Sequence, residues 1–217
     1  MITTCIFDLD GTLVNSLEDL ADTTNVLLEK YNYQTHSLDT YKNFVGNGID
    51  MLLQRAFGNN DVVFLKNIRK EFDAVYQKQY LQKTKPYLGI MTLLERLQQK
   101  GIKMAVVTNK EHTMAVSMVE TLFPDKFLYT YGNSESYPHK PDPTLVNQVI
   151  NQIGSKKEEC VFIGDSDVDM KTGRNAQMKT IGVSWGFRQV EELIKNGADR
   201  IVNEPIEIED IINDWSK

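Results

Sequence analysis

Apolar and polar positions along this chain follow two different periods. The run Thr3-Thr4-Cys5-Ile6-Phe7 is short, β-branched and apolar, and it stops at an acidic cluster closed by Gly11, which is the pattern of a buried strand. From Leu17 the period changes. Leu17, Leu20, Ala21, Thr24, Leu27 and Leu28 recur at helical spacing with charges between them and predict an amphipathic helix. Further helices are predicted over Leu38 to Phe44, Ile49 to Phe57 and Val62 to Tyr80, and no strand is predicted between residues 15 and 85.

After Pro86 apolar strands alternate with helices. A helix over Met91 to Lys100 is followed by a strand at Lys103 to Val107, a helix at His112 to Leu122 and a strand at Phe127 to Tyr131. Then come a helix at Thr144 to Ile153, a strand at Val161 to Ile163, a helix from Val168, a strand at Thr180 to Val183, a helix at Val190 to Lys195 and a strand at Ile201 to Val202. A final helix carries Ile208, Ile211, Ile212 and Trp215. This alternation predicts an α/β fold with a parallel sheet covered by helices on both faces. The first strand belongs to that sheet, so the expected organisation is a core of residues 1–14 and 86–217 with an all-helical unit, residues 15–85, inserted after the first strand.

Composition narrows the function. A chain of 217 residues with 41% hydrophobic and 25% charged positions has the makeup of a packed globular protein rather than a disordered or fibrous one. Lys and Arg total 24 against 30 Asp and Glu, a formal charge of −6, and no basic run occurs, which argues against nucleic acid or an anionic membrane as main partner. Such a protein can handle an anionic substrate only if a metal ion or a few placed lysines supply positive charge locally. No apolar stretch approaches the roughly 20 residues that cross a bilayer, and Ile2 leads straight to Asp8 and Asp10, unlike a signal peptide, so a cytoplasmic location is expected. Cys5 and Cys160 each lie in a short apolar run and are expected to be buried and reduced. Monomer and homodimer are both compatible with the pattern.

In open parallel sheets ligands gather at the carboxyl ends of the strands, and four of these ends are unusual. Asp8-Leu9-Asp10-Gly11-Thr12 follows the first strand, and in extended backbone Asp8 and Asp10 project to one side. Two such carboxylates repel unless a cation lies between them or one is protonated. Magnesium meets the first need, and a carboxylate can also attack phosphorus while its neighbour moves the proton. Thr108-Asn109-Lys110 ends the next core strand with a hydroxyl and backbone amides suited to phosphate, although Thr and Asn also begin helices as caps. Lys140, flanked in His139-Lys140-Pro141-Asp142-Pro143 by restricted backbone, holds an ammonium in a set direction. Gly164-Asp165-Ser166-Asp167-Val168-Asp169 is not a calcium loop, because the sixth position from Asp165 is Met170 and the twelfth Ala176. A further magnesium carboxylate fits it better.

These four segments, in this order, resemble the haloacid dehalogenase superfamily over essentially the whole chain. The resemblance implies a Rossmann-like core with a helical cap inserted after the first motif. It implies that Asp8 is the nucleophile that takes up the phosphoryl group and that Asp10 is the general acid and base. Thr108, Asn109 and Lys140 would hold the transferring phosphate. Mg2+ would be held by Asp8, Asp165 and the backbone carbonyl of Asp10, with Asp169 beside it in the outer shell. An acid at Asp10 speaks for ester hydrolysis and against dehalogenation, because a halide leaves without a proton.

Within the superfamily, Phe44-Val45-Gly46-Asn47-Gly48 and Val107-Thr108-Asn109-Lys110 look most like bacterial phosphoglycolate phosphatases. Gly46, Asn47 and Gly48 either let backbone amides approach a small anionic substrate or simply turn the chain between helices. Arg55 and Lys42 are cap cations within reach of a substrate carboxylate. Asn15 departs from the aspartate common at that position, which is not a metal-binding one. The implied activity is a magnesium-dependent phosphatase acting on a small phosphorylated metabolite, with 2-phosphoglycolate as best substrate. A β-phosphoglucomutase-type mutase, a pyrophosphatase and, least favoured, a non-catalytic regulator remain as alternatives.

Overall fold

The first strand of the chain becomes the middle of the sheet. In the computed structural model, which describes residues 1–134 and 136–216, six parallel strands pair in the order β5-β4-β1-β6-β7-β8. They are β1 (Thr4–Phe7), β4 (Lys103–Glu111), β5 (Tyr129–Asn133), β6 (Cys160–Gly164), β7 (Lys179–Val183) and β8 (Arg200–Val202). β1 lies between β4 and β6, with Phe7 opposite Val106 on one side and Ile163 on the other. Asp8, Thr108 and Asp165 therefore emerge from three adjacent strands at nearly one level.

Side-chain alternation along these strands builds two cores. Cys5, Phe7, Val106, Val161 and Ile163 face one layer with α5 (Ile90–Gln99), α6 (His112–Leu122) and α10 (Ile206–Asp214). Ile6, Ala105, Val107, Cys160 and Phe162 face the other, against α7 (Thr144–Ile153). The two cysteines, both free and buried, thus point to opposite faces. α8 (Asp167–Asn175) and α9 (Val190–Lys195) complete the alternation.

Between β1 and α5 the chain forms α1 (Leu17–Lys30), α2 (Leu38–Phe44), α3 (Ile49–Phe57) and α4 (Val62–Gln79). Their apolar faces share a separate core built on Leu20, Leu28, Tyr41, Leu52, Phe57, Phe72 and Tyr76, joined from the sheet side by Phe187. Aromatic edges knit it, with Phe57 and Phe64 centroids 5.5 Å apart and Phe72 stacked on Tyr76 at 5.2 Å.

The expectation of no strand between residues 15 and 85 fails at both of its limits. β2 (Val14–Asn15) pairs antiparallel with β3 (Lys85–Pro86), so the two crossings into and out of the helical segment lie side by side. Two-residue strands carry no readable period, and Pro86 is tolerated because the ribbon is all edge. Asp19, buried at the start of α1, reinforces the junction by accepting from Lys83 N (3.1 Å), Thr84 N (2.8 Å) and Thr84 Oγ1 (2.7 Å). Two other limits also differ from expectation. β4 runs on to Glu111 rather than stopping at Val107, and β5 begins at Tyr129 because Phe127 turns inward onto Phe7 and Phe123.

Candidate active site

Asp8 follows β1 directly and keeps the sheet hydrogen bond, its N–H donating to Ile163 O at 2.9 Å. Its carboxylate is buried among charges. Lys140 Nζ lies 2.8 Å from Asp8 Oδ1 and 2.7 Å from Asp169 Oδ1. Only the second contact has hydrogen-bond geometry, which leaves Asp8 Oδ1 buried and without an aligned donor. Asp165 accepts from Thr12 Oγ1 (3.1 Å) and Phe187 N (2.8 Å), and Asp169 accepts from Ser166 Oγ (2.6 Å) and Ser166 N (3.0 Å) as it caps α8. Gly11 makes room for this cluster. A Cβ there would stand 2.3 Å from Asp165 Oδ2, and its φ of +89° is one that other residues rarely adopt.

One oxygen from each of Asp8, Asp165 and Asp169 falls within 4.8 Å of the others, and all three residues are buried. Burial, then repulsion from Asp169, pushes the Asp8 carboxyl up to about 6 although Lys140 pulls it down. Asp165 is held well above the usual carboxylate range, first by burial and then by Asp169 and Asp8. Lys140 loses proton affinity to burial but regains more from Asp169 and Asp8, so it stays firmly an ammonium. A single ammonium against three buried carboxylates leaves negative charge uncompensated. An oxygen-seeking divalent cation fits this donor set, and the unpartnered Asp8 Oδ1 is an oxygen it would take.

Asp10 faces away from that cluster. Ser16 Oγ donates to its Oδ1 at 2.5 Å, and Lys110 Nζ lies 3.2 and 3.3 Å from its two oxygens. Lys110 also donates to Tyr76 Oη at 3.0 Å. Thr108 Oγ1 accepts from Lys110 N at 3.2 Å, which leaves its hydroxyl proton free for another acceptor. The Asn109 side chain, expected at phosphate, is engaged elsewhere: Oδ1 accepts from Lys140 N (2.9 Å), while Nδ2 donates to Lys140 O (3.3 Å) and Gly46 O (3.2 Å). It braces the Lys140 loop and ties it to the helical segment.

A cavity of about 40 Å³ lies above these groups, floored by Asp8, Asp10, Thr108 and Lys110 and roofed by Leu20, Val45, Ile49 and Leu52. Gly46 and Gly48 border it, with φ of +100° and +85°, and they also turn the chain between α2 and α3. Asn47 lines a neighbouring cavity of about 260 Å³, with His139 and Lys140, and not the one above Asp8. Arg55 and Lys42 do not reach the cavity: Arg55 donates to Phe44 O at 2.9 Å and Lys42 pairs with Asp39 at 3.1 Å. Arg188, from the loop after β7, also reaches the end of α2, donating to Lys42 O and to Val45 O at 2.7 Å.

The sequence reading did not single out Lys110, Tyr76 or Arg188. Lys110 was visible beside Thr108, but a lone lysine reads as a solvated charge. Tyr76 and Arg188 carried no local signal.

A central parallel strand followed by a buried aspartate, with Lys140, Asp165 and Asp169 gathered around it, defines an α/β protein with its site at the carboxyl end of the sheet. The family model for haloacid dehalogenase-like hydrolases matches residues 5–183, and the chain belongs to that family. It is 34% identical over 198 residues to the phosphoglycolate phosphatase of Psychrobacter arcticus, covering 87% of this chain and 86% of that one. It is 31% identical over 194 residues to the phosphoglycolate phosphatase of Aquifex aeolicus, covering 87% and 88%. Among solved structures, a phosphoglycolate phosphatase candidate from Lactobacillus delbrueckii subsp. bulgaricus superposes with a TM-score of 0.90 at 32% identity, covering 97% of this chain and 98% of that one. No helix among the described residues is long and apolar enough to cross a membrane.

Proposed function

We propose that this protein is a magnesium-dependent phosphatase for a small phosphate monoester, 2-phosphoglycolate above others, working in the cytoplasm through a phosphoryl group carried on Asp8. The observation that carries the reading is the Asp8 carboxylate, buried at the floor of the cavity with Lys140 2.8 Å from its Oδ1. Residues 15–85 act as the cap that closes this cavity, and residues 1–14 with 86–217 as the catalytic core. The names of the relatives support the substrate. So does the lining of the cavity, whose charged floor and apolar roof suit a small anionic ester.

Asp8, Asp165 and the backbone carbonyl of Asp10 would hold Mg2+, with Asp169 beside them. Bound there, the ion supplies charge neutralisation for a dianionic phosphate against the aspartates. Lys140 and the Thr108 hydroxyl bind equatorial phosphate oxygens and stabilise the charge that gathers on them. An Asp8 oxygen attacks phosphorus in line while the bond to the leaving alcohol breaks, and Asp10 gives its proton to that oxygen. Asp10, now ionised, takes a proton from water, and the hydroxide formed attacks the aspartyl-phosphate to release phosphate and regenerate Asp8. The apolar roof restricts water during the first step.

Phosphate release from 2-phosphoglycolate, pyrophosphate, hexose phosphates and nucleotides, with and without magnesium, tests this reading. Selective magnesium-dependent release from 2-phosphoglycolate is expected. Isomerisation of β-glucose 1-phosphate without phosphate release would replace it with a mutase, and preference for pyrophosphate would replace the substrate.

A further inference from the structure

Lys110 is placed unlike the other lysine of the site. Regular pairing of β4 with β5 is interrupted between Val107 and Glu111, so Thr108 to Lys110 form a bulge within β4 before pairing resumes. The Lys110 side chain is only 2% exposed, against 19% for its partner Asp10, whose open side is the cavity. An ammonium has three donors. One side of it faces Asp10, straddling Oδ1 and Oδ2 at 3.2 and 3.3 Å, and another donor meets Tyr76 Oη at 3.0 Å. The Tyr76 ring also lies under the charge, its centroid 5.0 Å from Nζ. Tyr76 sits near the end of α4, buried and stacked on Phe72, so its hydroxyl goes where the helical segment goes.

We propose that Lys110 is a positioning residue for Asp10, and that Tyr76 makes this positioning depend on the docked helical segment. Contact with both carboxylate oxygens fixes the torsion of Asp10 as well as its distance, so its proton is aimed at one point in the cavity. Tyr76 completes the ammonium's hydrogen bonds only when α4 lies against the core. An undocked segment leaves Lys110 short of a partner and Asp10 free to turn. Proton transfer to the leaving oxygen is thereby confined to the closed state, in which the substrate is shielded from water. Lys110 keeps its own proton throughout. The inference rests on the reading of Asp10 as proton donor to the leaving group.

Leaving-group dependence tests it, because a nitrophenolate departs without a proton and the alcohol of 2-phosphoglycolate does not. The full-length protein with magnesium is assayed on p-nitrophenyl phosphate and on 2-phosphoglycolate, with Asp10→Asn as reference and thermal melts to verify folding. Lys110→Met is expected to lower kcat/KM, which excludes the hydrolysis step common to both esters, by about 100-fold on 2-phosphoglycolate and by less than about fivefold on the nitrophenyl ester. Tyr76→Phe keeps the ring and should show the same selectivity at about fivefold. Equal losses of kcat/KM on both esters in Lys110→Met overturn the positioning role. Tyr76→Phe indistinguishable from the unsubstituted protein overturns the coupling to α4. If Asp10→Asn itself shows no selectivity, the reading of Asp10 fails, and the proposal with it; selectivity in Asp10→Asn without selectivity in Lys110→Met condemns the proposal alone.

Discussion

Lys140 Nζ lies 2.8 Å from Asp8 Oδ1 and 2.7 Å from Asp169 Oδ1, so one buried ammonium is shared between the two carboxylates. Asp169 thus helps to hold that ammonium beside Asp8.

Replacing Asp8 with Asn should abolish turnover, by roughly 10⁴ or more in kcat, while the fold survives. Removing one of three clustered buried carboxylates should even raise the melting temperature in chelator. Phosphate release and a circular dichroism melt check both halves; turnover within about tenfold of the unsubstituted level would sink Asp8 as nucleophile.

Lys140→Met strands Asp8 and Asp169 without their cation. A loss of about 3 kcal/mol in stability is expected, read from urea midpoints. The same substitution in an Asp8→Asn background should cost measurably less, and strict additivity would show that the two residues do not interact.

Magnesium and pH should be linked. Asp8, raised by burial and Asp169 to about 6, and Asp165, raised chiefly by burial, ionise less readily in the folded chain than in the unfolded one. Their contribution to stability is therefore complete below the ordinary value of 3.8 and is lost, for Asp8, as pH rises through about 6. A cation competes with those protons and restores what ionisation removes. Saturating magnesium should raise the melting temperature more at about pH 8 than at about pH 5; an equal rise at both would rule out these carboxylates as the ligands.

Arg188→Ala removes the two bonds that hold Lys42 O and Val45 O beside the cavity. Bonds from a charged donor contribute about 1.5–3 kcal/mol, so kcat/KM on 2-phosphoglycolate should fall at least about tenfold. Unchanged steady-state kinetics would mean that the end of α2 needs no anchor from the core.

The fold was legible because its signals are local and redundant. Thr4 to Phe7 is apolar on both faces, as a central parallel strand must be, and the alternation after Pro86 leaves few other topologies. Asp8, Asp10 and Asp165 stood out as acids where apolar strands end. Lys110 did not, because what distinguishes it is distant in sequence: Tyr76 lies 34 residues before it and Asp10 100 before it. The bracing role of the Asn109 side chain was hidden for the same reason, since its partners Gly46 and Lys140 lie 63 and 31 residues away. The β2–β3 ribbon and the Asp19 tie were hidden because backbone pairing of two residues leaves no mark on composition.

The place of β1 between β4 and β6 also bears on how the molecule is made. Asp8 follows β1, yet both strands that fix β1, β4 and β6, come from much later in the sequence. Long-range pairing of this kind is slow, whereas α1 to α4 close mostly near contacts and can form earlier. Pulse-labelled hydrogen exchange during refolding should find the amides of Thr4–Phe7 protected no sooner than those of Cys160–Gly164. Asp8 precedes the strands that hold it, so its surroundings are complete only once the sheet around it is whole.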